Sequence, residues 1–167
     1  MSNFRRGFTM IEVMIVLLIM AMMAGLAVLS VQGHIDHARW TRSFEQIEEL
    51  DRTARISARR DAITYQMTFN KSKRKVELRP IGVSTLAKNV REFKLPTSIQ
   101  FVSFQRNTIK SSSDRFEIEF APSGQSPSYA IALAASSGPP QWLVTLGFSG
   151  QQLRMENAKD VAAMFPR

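Results

Sequence analysis

The chain has 167 residues, no cysteine and a formal charge of +8, from 22 lysines and arginines against 14 aspartates and glutamates. Disulfides and thiolate metal sites are excluded, and the length suits one domain with an accessory segment. The charge favours anionic partners such as nucleic acid, lipid head groups or acidic proteins, although a solvated basic surface explains the same balance. The first element is an apolar run. Val13 to Val31 is 19 residues without a charge. At about 1.5 Å per residue, a helix of that length nearly crosses the ~30 Å hydrocarbon core of a bilayer. Arg5 and Arg6 precede the run and predict a cytoplasmic N-terminus. The small residues of "AMMAGLA" have the look of a signal-peptidase site. Against that reading, Gly7 sits before the run and the helical pattern continues past it.

Glu12 stands at the start of this run. An unpaired carboxylate at membrane depth costs roughly 2.5–3.5 kcal/mol on insertion scales. The residues alone leave two accounts open: a functional acid with a partner, or a carboxylate that reaches the interface from one turn inside. In "RRGFTMIEVMIVLLIMAMMAGLAV", a basic leader, Gly7, Phe8, Thr9 and Glu12 lead into the unbroken run. Here the chain resembles the type IV pilin and pseudopilin superfamily. The resemblance implies cleavage between Gly7 and Phe8 by a membrane prepilin peptidase and N-methylation of Phe8. It also implies an assembly ion pair between Glu12 and the Phe8 amine, and such charges attract strongly where the dielectric is low. Five of the nine methionines lie between Met10 and Met23. Methionine is adaptable filler, which suits a helix that packs first in lipid and then in a bundle; each one also reads as an ordinary lipid-facing residue.

The helix is expected to continue through "HIDHARWTRSFEQIEELDRTARISARRDA", which holds no Pro or Gly. Ile47, Leu50, Ala54 and Ala58 recur at helical spacing. Glu48 with Arg52, and Asp51 with Arg55, form i,i+4 pairs in the favourable order, worth a few tenths of a kcal/mol each. From Ala62 the period becomes two. Ile63, Tyr65, Met67 and Phe69 alternate with polar residues, "NKSKR" turns the chain, and Val76 and Leu78 complete a hairpin. Ile99 to Phe104 is a third strand with imperfect alternation. Phe116, Ile118 and Phe120 mark a fourth, and Tyr129, Ile131 and Leu133 a fifth. Trp142, Val144, Leu146 and Phe148 mark a sixth, and Leu153 and Met155 a seventh after the Ser149-Gly150 turn. Clean alternation predicts antiparallel sheets with one face in a core. "NTIKSSSD", "APSGQSPS" and "SSGPP" are turn-rich connectors. No motif is legible from Leu86 to Lys110.

The predicted fold class is therefore α+β. A long N-terminal helix, its first half transmembrane, packs on an antiparallel β-sheet domain of about seven short strands. The expected divisions are a leader at 1–7, a transmembrane half-helix at 8–33 and a periplasmic amphipathic half at 34–61. A β-rich domain at 62–156 and a tail at 157–167 follow. The second half, with Phe120, Pro122, Gly124 and Gly150 at its turns, resembles the H-type minor pseudopilins of type II secretion and the FimT-like minor pilins. Major pseudopilins keep an acidic calcium loop at the C-terminus. Here the last 20 residues hold only Glu156 and Asp160, which favours a minor subunit.

Other constellations fail. His34 and His37 lie one turn apart with Asp36 between them, but a zinc site needs a third and usually a fourth ligand. No nucleophile motif or phosphate loop is present, so no metal, cofactor or catalysis is expected. Arg55, Arg59 and Arg60 end the helix, where the dipole favours cations. Lys71, Lys73, Arg74 and Lys75 fill the first hairpin turn and form a candidate polyanion contact. They have no interleaved aromatics for stacking on nucleic acid, so nucleic acid is not the expected partner.

The resemblance implies a structural subunit rather than an enzyme: a minor pseudopilin of a type II secretion pseudopilus that helps export folded proteins. Its partners would be other pseudopilins, the prepilin peptidase and an inner-membrane assembly platform. It would sit single-pass in the inner membrane, with its domain in the periplasm. The alternative is a FimT-like minor type IV pilin that acts in pilus assembly or DNA uptake.

Overall fold

The computed structural model describes residues 9–82, 91–106, 109–111, 113–135 and 138–165, with the side chains of 25–37 and 109–111 outside the description. The elements are a helix α1 (Met10–Asp61), strands β1 (Tyr65–Asn70), β2 (Lys75–Pro80), β3 (Arg91–Lys94), β4 (Ile99–Arg106), β5 (Ile109–Ser111), β6 (Arg115–Phe120), β7 (Tyr129–Ala135), β8 (Gln141–Thr145) and β9 (Gln152–Met155), and a short helix α2 (Ala158–Met164). The chain divides between Arg39 and Trp40 into two units.

In the first unit, every described side chain from Met10 to Ala24 is exposed, Met10 at 80%. Among the described residues no helix is long and apolar enough to cross a membrane. The described side chains of the Val13–Val31 run stop at Ala24, so the remainder of the expected span lies outside the description.

In the second unit, the helical pattern becomes amphipathic. Phe44, Ile47, Leu50, Ala54 and Ala58 are buried at three- and four-residue intervals. They join one apolar cluster with the inner faces of two antiparallel sheets, one ordered β3-β2-β1-β6 and the other β5-β4-β7-β8-β9. Helix-on-sheet packing and the α+β class are as the sequence predicts, and all seven expected strands are present. β3, β5 and α2 are additional.

The imperfect alternation of the third predicted strand has a cause. The β4–β7 register slips between Phe101 and Ser103, so a bulge at Val102 turns both Phe101 and Phe104 into the core. Phe69 on β1 lies 5.8 Å from each of these rings, 6.1 Å from Phe116 and 6.3 Å from Tyr129, centroid to centroid. The two sheets therefore meet across one aromatic cluster.

β7 and β8 depart from the one-faced expectation. Tyr129, Ile131, Leu133 and Leu143 face the main core. Ala130, Ala132, Trp142 and Val144 face a second, smaller core with Val161 and Phe165. The small alanines leave room on that face for Trp142 and α2. The stretch expected as a tail thus holds a helix that caps the sheet. The sixth strand also ends sooner than its pattern suggests. β8 stops at Thr145, and Phe148 stands in the following turn, 83% exposed.

Candidate functional site

Of the residues expected to be processed, Gly7 and Phe8 lie outside the described residues. Thr9 and Glu12 are described and exposed. The Glu12 backbone N–H donates to the Thr9 carbonyl at 3.1 Å and to Thr9 Oγ1 at 3.3 Å. Thr9 therefore caps α1, and Glu12 falls at the third helical position. The T-x-x-E spacing is that of a capping box, a helix-start signal carried by the sequence itself. A carboxylate in the first turn also interacts favourably with the helix dipole. Glu12 thus has a local role in starting the helix besides any role toward the amine.

Three of the four cations of the β1–β2 turn have partners within the domain. Lys71 Nζ donates to the Val102 carbonyl at 3.1 Å, and Arg74 Nη1 to the Thr97 carbonyl at 3.1 Å. Lys75 Nζ bridges Glu77 at 2.7 Å and Glu92 at 2.5 Å. The hydrogen bond to Glu77 is the first reason the Lys75 pKa lies above its ordinary value. The register explains the pairing. Lys75 stands opposite Lys94 and Glu77 opposite Glu92, a like-charge arrangement that the Lys75–Glu92 diagonal offsets. Ser72 donates from both its backbone N–H and its hydroxyl to Asp114, and the Lys73 N–H donates to Asn70 Oδ1 at 2.8 Å. Lys73 itself points to solvent.

The helix-end arginines, explained from sequence by the dipole alone, have a larger part. Asp51 and Arg55 are buried and paired, Nε to Oδ2 at 2.7 Å. Arg55 Nη1 donates to the carbonyls of Gly147 at 2.7 Å and Gly124 at 3.2 Å, and Nη2 to Ser126 Oγ at 2.9 Å. Its guanidinium lies 5.4 Å from the Phe120 ring centroid. Arg59 Nε donates to the Ser123 carbonyl at 3.0 Å. One helical turn thereby clasps both the 121–126 turn and the 146–150 turn. The second expected pair is not made: Glu48 accepts from Arg154 on β9, at 2.9 Å from Nη2, and Arg52 stays exposed. A partner on a neighbouring strand has replaced one a turn away on the helix.

Tyr129 completes this network by donating to Asp51 Oδ1 at 2.8 Å. Burial, and then the Asp51 charge, push its phenol well above its ordinary 10. Tyr65 is raised by burial and by its bond to Asp61. These are the only two tyrosines in the chain. A phenol whose folded pKa is raised stabilises the fold below its unfolded value, and that stability is lost as pH climbs beyond it. We therefore expect less phenolate absorbance at pH 10 from the folded protein than two free tyrosines would give, with the Tyr129 contribution appearing only on base unfolding. A tyrosine that titrates at its ordinary value while the circular dichroism stays native would contradict this.

Among the described residues, no group of three or more His, Cys, Asp or Glu side chains is arranged to hold a metal ion.

Comparison with known proteins adds two findings. Residues 2–28 match the prokaryotic N-terminal methylation motif. The fold is similar to that of the minor pseudopilin EpsH from the type 2 secretion system of Vibrio cholerae. One EpsH structure gives a TM-score of 0.57 at 10% identity, covering 72% of this chain and 97% of that one. A second gives 0.54 at 9% identity, covering 70% and 92%. No curated protein sequence matches the chain.

Proposed function

We propose that the chain is a minor pseudopilin, a structural subunit of a type II secretion pseudopilus. The observation that carries this reading is the conjunction of a methylation motif at residues 2–28 with an EpsH-like fold over 72% of the chain. The subunit waits in the inner membrane with its N-terminus in the cytoplasm and its β domain in the periplasm. Prepilin peptidase cuts between Gly7 and Phe8 and the Phe8 amine is methylated. An assembly platform then extracts the helix, and its exposed apolar side chains from Met10 to Met23 pack among neighbouring pseudopilins. Glu12 neutralises the Phe8 amine in that apolar bundle. The work is assembly, not catalysis. Engagement of Lys71, Arg74 and Lys75 within the domain favours this reading over a FimT-like pilin that holds DNA.

Intact-mass measurement after coexpression with a prepilin peptidase tests the reading. The expected product begins at methylated Phe8; a terminus after Ala24 or Ala27 would indicate an ordinary signal peptide instead. With processing established, Glu12→Ala is expected to insert and to be cleaved normally, yet to enter sheared filaments at least about ten-fold less well. An uncompensated buried charge costs several kcal/mol, and about 1.4 kcal/mol is ten-fold. Glu12→Gln separates charge from shape. Native-level incorporation of Gln would remove the ion pair from the account and leave packing or helix capping.

A further inference from the structure

Phe148 is placed against the usual logic of a folded domain. Every other described phenylalanine is buried or half-buried, whereas Phe148 is 83% exposed. It is not exposed through slackness of its turn. The Gly147 N–H donates to Ser128 Oγ at 2.9 Å, and the Gly147 carbonyl accepts from Arg55 at 2.7 Å. Gly150 N–H donates to the Leu146 carbonyl at 2.8 Å, and Leu146 N–H to the Gln151 carbonyl at 2.9 Å. A Cβ on Gly147 would come within 1.9 Å of the Ser126 carbonyl oxygen, so the backbone here is packed against its neighbour. An aromatic ring held outward on a fixed backbone loses little freedom on binding, which is how binding anchors are made.

Its surroundings indicate what it would meet. The Arg55 clasp holds the Phe148 turn and the 121–126 turn to the same stretch of α1, and the exposed Pro122 and Ser123 lie on the latter. Arg59 grips Ser123 through Nε, and among the described residues its guanidinium meets no carboxylate. Phe148 thus supplies an apolar point on one clasped turn, and Arg59 a cation at the other.

We propose that Phe148, with Arg59, is a docking knob for a different subunit of the same filament, one that presents an apolar socket with a carboxylate at its rim. A second copy of this chain fits poorly. The full chain carries +8 and stays strongly basic after Arg5 and Arg6 leave with the leader, and like net charges repel. The proposal rests on the pseudopilin reading and adds to it a direction of attachment.

The absence of cysteine allows a direct test. Gln151→Cys, at an exposed position beside the knob, puts a unique thiol into the full-length chain. A thiol-to-amine crosslinker is applied to cells in which the major pseudopilin and each other minor pseudopilin are tagged one at a time. One of these subunits is expected to crosslink. Adding Phe148→Asp should reduce that product at least about ten-fold, Arg59→Glu should reduce it less, and Phe148→Tyr should keep it. The melting temperature should be unchanged in all three Phe148 forms. A product indifferent to Phe148→Asp, a product only with a second copy, or no product would each overturn the docking knob. Wild-type chain absent from sheared filaments would instead remove the pseudopilin reading itself.

Discussion

Asp51→Ala is expected to destabilise the domain by about 3–5 kcal/mol, the cost of leaving a buried partner charge uncompensated. The carboxylate accepts from Arg55 at 2.7 Å and from the Tyr129 hydroxyl at 2.8 Å, with both side chains inside the fold. Its removal strands a guanidinium that still holds the Gly147 and Gly124 carbonyls. It also leaves a buried phenol without its acceptor. Thermal unfolding of the full chain in detergent should fall by on the order of 10 °C or more. Asp51→Ala combined with Arg55→Met should recover part of the loss, because the charge that made the cavity costly is gone. A single variant within 1 kcal/mol of wild type, well inside the range of an exposed pair, would mean that water reaches the pair.

Phe69→Ala is expected to cost a similar amount, about 3–5 kcal/mol, for a different reason. Phe69 is fully buried and lies against Phe101, Phe104 and Tyr129 of one sheet and Phe116 of its own. These rings sit on paired strands and have little room to collapse into the space left behind. Chemical denaturation should show a lower midpoint, and Phe69→Leu should recover more than half of the loss. If Phe69→Ala cost less than 1 kcal/mol, the sheets would have to close over the gap.

The helix, the seven expected strands and the methylation motif were legible because their signals are local. Alternation in "RFEIEF" or spacing around Gly7 can be read within a few residues. What was hidden depends on distance or on exceptions to the period. "REFK" carries charge at three of its four positions, so β3 has no apolar rhythm, yet it pairs with β2. The bulge at Val102 disguises two inward phenylalanines as a broken pattern. Phe148 follows the rhythm of the sixth strand after the strand has ended. The sequence offers Asp51 and Arg55 as a surface pair; only the fold brings Gly124 and Gly147, distant in the chain, over the guanidinium and so buries it. At the N-terminus, the Thr9–Glu12 capping spacing is local as well and is readable within four residues.

The alanine-lined face of β7 has a bearing on biogenesis. Ala130, Ala132, Trp142 and Val144 find their apolar cover in Val161 and Phe165 at the end of the domain. The ribosome makes that cover after every strand. Until α2 emerges, the five-stranded sheet has its main core available but carries Trp142 on an open face. The emerging chain therefore exposes a sticky surface whose lifetime is set by the time needed to synthesise and deliver roughly a helical turn or two more. The domain reaches its final form late, once the segment that caps it is free, and a premature stop before Val161 leaves a product prone to association rather than a shorter working subunit.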